Sequence, residues 1–181
     1  MLIREIPGSE LRSRLHGEGI HLVTGAFTIH LHIDLRHLVD EFAEMYADYP
    51  VEDPPGIDDA RVRIAARSLL RRFVCPQANA WANGETPFEP VPAQRAYTLL
   101  ESAFNYVAAS DDYAPLLLHS AVLARDGHAL FMPAPPGSGK STMCAALAWR
   151  GWRLLSDEMA LFSLEDGRLL ANLRPVSLKN Q

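Results

Sequence analysis

The stretch Ala134-Pro135-Pro136-Gly137-Ser138-Gly139-Lys140-Ser141 constrains this chain more than any other. It reads as a phosphate-binding loop with alanine in place of the usual first glycine. Backbone N–H groups of such a loop point inward and cradle anionic oxygens, and Gly137 and Gly139 permit the dihedrals this needs. Lys140 adds a mobile cation for the β- and γ-phosphates, and Ser141 offers a hydroxyl to Mg²⁺. A helix that starts here aims its positive end at the anion.

The flanking residues suit that reading. His128–Met132 is apolar enough for a buried strand, and Thr142–Arg150 is helix-forming, with Gly151 placed to end it. Strand, loop and helix therefore come in the required order.

Composition narrows the class. The chain has 181 residues, 48 % apolar and 22 % charged, which is enough for one core or two small lobes and points to a globular protein. The formal charge of −5 and the lack of a basic stripe argue against nucleic acid as a partner. Cys75 and Cys144 form no disulfide framework, and Cys144 reads as a small buried thiol in the helix after the loop. The start is unlike a signal peptide, and no apolar run reaches membrane-spanning length. The expectation is a cytoplasmic protein without a membrane partner.

Two strands are expected around Gly25, at 20–24 and 27–33; the second places Phe27, Ile29, Leu31 and Ile33 on one face. Asp34 is expected to cap a helix over 35–47 that buries Leu35, Leu38, Val39, Phe42 and Tyr46. A short strand is expected at 61–65, with a helix as the alternative there, and further strands at 73–75 and 78–82, with Asn83-Gly84 as a hairpin turn. A helix over 96–108 buries Ala96, Leu99, Leu100, Ala103, Phe104, Val107 and Ala108. Strands at 116–124 and 128–132 then form a hairpin about Asp126-Gly127. Its register pairs Arg125 with His128 and sets His119 opposite Ala134, beside the mouth of the loop.

A short strand at 152–155 precedes Asp157 and Glu158, and Asp157 lies 17 residues after Lys140. That spacing leaves room for one helix and an immediately adjacent parallel strand. Loop and acid then share the carboxyl end of one sheet, where open α/β sheets bind ligands. An acid there holds Mg²⁺ or accepts a proton from an attacking hydroxyl. His30 and His32 share a strand face but lack convincing further metal ligands. Trp149 and Trp152 read as core, and Arg174 and Lys179 as phosphate contacts or a solvated edge.

Leu118-His119-Ser120-Ala121-Val122, the run Pro136–Thr142 and Gly151–Glu158 together resemble HPr serine kinase/phosphorylase, most closely its HPr-kinase-related kinase A branch. Arg174–Asn180, Tyr46-Ala47, Leu100-Glu101 and Asn105 are similar to that branch. An acid on the next strand in sequence is also the arrangement of the HPr kinase and phosphoenolpyruvate carboxykinase type. The resemblance implies an α/β phosphate-loop core over 113–181, preceded by a smaller α+β lobe over 1–112. It also implies that the fold of relatives continues beyond position 181.

For function, the resemblance implies ATP- and Mg²⁺-dependent phosphorylation of a serine on a peptide or protein. Nucleotide would be held by Pro136, Gly137, Ser138, Gly139, Lys140, Ser141 and Thr142. Asp157, His119 and Lys140 would take the catalytic roles, and Ser141, Glu158 and Asp157 would attend the metal. The N-terminal part does not resemble that of HPr kinases proper, so HPr itself is not implied as the acceptor. A nucleotide-binding partner protein without transfer activity, a small-molecule kinase and a homo-oligomeric state all stay open at this point.

Overall fold

The computed structural model describes residues 1–54, 56–66, 68, 75–109, 116–135, 137–164 and 166–175. The chain divides into two compact α/β units, Met1–Val23 with Phe27–Ala108, and Thr24–Ala26 with Ala109–Gln181. The boundary expected at 112–113 falls outside the described residues.

The first unit contains α1 (Gly8–His16), β1 (Ile20–Val23), β2 (Thr28–Ile33), α2 (Arg36–Met45), β3 (Val51–Glu52), β4 (Ala60–Ala66), β5 (Gln77–Ala82), β6 (Val91–Pro92) and α3 (Ala96–Ala108). Its strands form one mixed sheet in the order β3-β1-β2-β4-β5-β6. Only the β2–β4 pair is parallel. A parallel pair needs a long crossover, and the connection carrying α2 supplies it. Strict alternation buries Ile29, Leu31 and Ile33 on one face of β2. His30 and His32 face the other way, beside Arg61 and Arg63 of β4 in register.

α2 buries the expected stripe, Leu35, Leu38, Val39, Phe42 and Tyr46. Its cap differs from expectation: Leu35 occupies the N-cap, and Asp34 binds Arg63 at 2.7 Å instead. A carboxylate offered a guanidinium fork gains more than one backbone N–H supplies. α3 buries all seven expected residues. Tyr46 Oη donates to Glu101 at 2.6 Å, so these two residues tie α2 to α3. α1 was not expected; its buried contacts come from Leu11 and Leu15, one turn apart, in an otherwise polar segment. Residues 73 and 74 of the strand expected at 73–75 lie outside the described residues.

The second unit contains β7 (Leu116–Arg125), β8 (His128–Pro133), α4 (Lys140–Ala148), β9 (Arg153–Ser156), β10 (Met159–Phe162) and β11 (Leu169–Leu170). Its sheet is built from antiparallel pairs: β8, β9 and β10 all pair with β7, and β11 pairs with β10. One face packs Ala121 and Leu123 against Cys144 of α4, with Met132, Leu147, Trp152 and Leu154 around them. The other face gathers Val122, Leu155 and Ala160. Thr24–Ala26 joins this unit through Ala26 N–H to Ala171 O at 2.8 Å and Leu173 N–H to Thr24 O at 3.0 Å. Among the described residues no helix is long and apolar enough to cross a membrane.

Candidate functional site

The loop from Ala134 to Gly139 leaves the end of β8 and enters α4 at Lys140. Gly137 and Gly139 have φ of 82° and 86°. A Cβ at either would meet nothing within 4 Å, so dihedral strain rather than crowding selects glycine here. Gly139 is the N-cap of α4, and its carbonyl accepts from Met143 N–H at 2.9 Å. Lys140 Nζ donates to the carbonyls of Ala134 and Pro135, which holds the ammonium against the loop. Ser141 is half-buried, and Ser138 and Thr142 are exposed. Pro136, the first residue of the expected nucleotide-binding run, lies outside the described residues.

The hairpin takes the expected register. Arg125 pairs with His128 and Ser120 with Pro133, so His119 stands one residue past the end of β8, where the loop departs. Its side chain is exposed, and across the sheet it pairs with Met159.

β9 does not lie beside β8. Both run antiparallel to β7, which separates them, so β8 and β9 are parallel without being neighbours. This corrects the expected adjacent pair. The physical reason is that β7 pairs with β8 on one edge and offers its other edge to β9, which takes an antiparallel place there and puts one strand between β8 and β9. The expected end of the sheet is kept. Asp157 follows β9 at its carboxyl end, as the loop follows β8.

β9 and β10 behave as one interrupted strand along β7. The register runs from Ser156 with Val122 to Met159 with His119 without a slip. Asp157 is thereby level with Ala121, on the face covered by α4. It is 5 % exposed, and the Cys144 thiol donates to it. Cys144 is fully buried one turn into α4 from Lys140, and burial first, then the charge of Asp157, pushes its thiol up to about 12. The carboxylate is thus tied to the second turn of the helix that the loop begins.

Glu158 goes elsewhere. Its backbone oxygen accepts from Ser120 N–H at 3.1 Å, while its carboxylate lies 3.9 Å from Arg174. Arg174 is 5 % exposed, which removes the reading of a solvated edge; Lys179 lies outside the described residues. The two neighbouring acids therefore meet different partners, Asp157 with α4 and Glu158 with Arg174.

Two further expectations change. Trp149 is 93 % exposed and is no core residue, because it falls at the C-cap where α4 turns off the sheet; Trp152 does pack in the core. His30 and His32 gain a third imidazole, since His21 of β1 stacks on His30 at 4.5 Å. Reading the strand pattern of 20–23 against 28–33 as an antiparallel pair would have found it. Among the described residues no group of three histidine, cysteine or acidic side chains is arranged to hold a metal. No protein-family model, no curated protein and no solved structure matches this chain.

Proposed function

We propose that this chain is a Mg²⁺- and ATP-dependent phosphotransferase of the HPr-kinase-related type, acting on a serine-type hydroxyl of a peptide or protein. One observation carries the reading: a glycine nest at the start of α4 and the buried carboxylate of Asp157 sit at the same end of one sheet, joined through Cys144. A nest and a helix N-terminus suit phosphate oxygens. A desolvated carboxylate beside them suits a proton acceptor.

Phosphoryl transfer needs positioning and charge stabilisation more than covalent chemistry. The loop N–H groups would bind the transferring phosphoryl oxygens, and Lys140 would exchange its loop carbonyls for them. Asp157 would take the proton of the attacking hydroxyl. His119, at the loop's edge, would assist near the phosphate. The oxygen donors fit Mg²⁺, which is usually held by one or two carboxylates together with substrate phosphates. Ser141 and Asp157 would hold it; Glu158 would contribute through its neighbour position while paired with Arg174. When bound, Mg²⁺ neutralises the developing phosphate charge.

The test is incubation with γ-labelled ATP, Mg²⁺ and candidate acceptor peptides. Asp157→Asn should retain ATP binding and lose transfer by about 10²–10⁴-fold, the scale of general-base loss. Equal transfer by the parent and this variant removes Asp157 from the mechanism. Lys140→Ala should weaken ATP binding by calorimetry, and unchanged affinity refutes the loop assignment. ATP binding with no labelled product would favour a nucleotide-binding protein without transfer.

A further inference from the structure

The end of the second unit's sheet opposite the phosphate loop carries a groove that the proposed reaction does not use. It encloses about 670 Å³ between the Asp126-Gly127 turn, the start of β9 and β11. β8 runs from His128 at this end to Pro133 at the loop, a separation of roughly 17 Å at the usual strand rise.

Pairing concentrates charge here. Arg125 is opposite His128, on the face that holds Trp152, and Arg153 is opposite Ala124, on the face that holds Leu155. Arg168 joins them from the segment before β11. In a chain of formal charge −5, three arginines and a histidine face two aspartates, Asp126 and Asp166, among the described residues. Those aspartates pair with Arg125 at 3.4 Å and with Arg168 at 3.3 Å. Both pairs are between close neighbours in sequence and solvent-exposed, so they contribute little and exchange readily. The Arg153 side chain makes no hydrogen bond or ion pair among the described residues. Arg125 lies over the Trp152 ring at 5.9 Å, on the face opposite Leu155 and Leu169, which leaves Arg153 and Arg168 as the cations on the groove's side. Leu155 and Leu169 add an apolar lining.

We propose that this groove is a second anion site, separate from the phosphate loop, for a phosphate-bearing small molecule. The guanidinium forks of Arg153 and Arg168 would take the phosphate oxygens, since planar donor pairs match that group. The organic part of the ligand would lie along Leu155 and Leu169. The volume is in the range of small-molecule pockets. This inference stands whether or not the chain transfers phosphate.

The test is calorimetry of the full chain with pyrophosphate in a Lys140→Ala background, which weakens the loop. One binding event should remain. Arg153→Gln together with Arg168→Gln should weaken it by about tenfold or more, as loss of charged phosphate contacts predicts. Arg168→Gln alone, at a side chain 83 % exposed, leaves folding intact and should weaken it by a smaller factor. Added salt should weaken the remaining event in the parent groove. Absence of any event in the Lys140→Ala chain, or an event indifferent to both arginine substitutions, overturns the proposal.

Discussion

Cys144 and Asp157 show how one contact decides two chemistries. Burial and a neighbouring carboxylate both disfavour the thiolate, which is the reactive form of cysteine. Cys75, by contrast, is exposed. The native chain should therefore titrate one thiol with a disulfide reagent at neutral pH, and two after denaturation; rapid reaction of both in the native chain would contradict the contact. His32 supplies a pH effect of known sign. Its pKa is lowered, first by burial and then by His30 and Arg63. Below the ordinary histidine value the unfolded chain binds this proton more readily, so His32 contributes stability above that value that is lost as pH falls through it. Denaturant midpoints should drop as pH falls from 7.5 toward 5.5, and His32→Gln should flatten part of that drop. An unchanged slope in the variant would exclude His32 as a source.

Turns set the register of whole elements. Asp126 and Gly127 have φ of 51° and 76°, the pair of left-handed residues that a two-residue hairpin turn demands. A Cβ on Gly127 would meet nothing within 4 Å. Gly127→Ala should thus cost about 1–2 kcal/mol through dihedral strain, while Gly127→Asn should cost less. Equal thermal midpoints for both variants would count against this turn. The hairpin was legible because turn chemistry and alternation are local: once Asp126-Gly127 is placed, His119 is bound to reach the loop end. The seven buried residues of α3 were legible for the same reason, since a three- and four-residue rhythm needs no distant partner. β10 and β11 were not legible. They are short, and their edges are defined by β7 and by each other rather than by their own pattern.

At the scale of the molecule, a three-residue segment near the start of the chain completes the second unit. The amide of Leu173 donates to Thr24. It should exchange slowly in the full chain and quickly in a fragment spanning 109–181, as amide-exchange mass spectrometry or NMR would report. Equal protection in both would mean that the segment adds nothing there. No reading of periodicity would find this pairing, because it joins residues almost 150 positions apart through backbone groups that every residue carries. The glycine loop before α4, the two amphipathic helices after residue 34 and the hairpin register were dictated by side chains acting on their near neighbours. The insertion of β7 between β8 and β9, the parting of Asp157 from Glu158 and the arginine groove were settled by long-range strand pairing. Each depends on which edge of β7 a strand pairs with, and that is fixed by residues far apart in the chain.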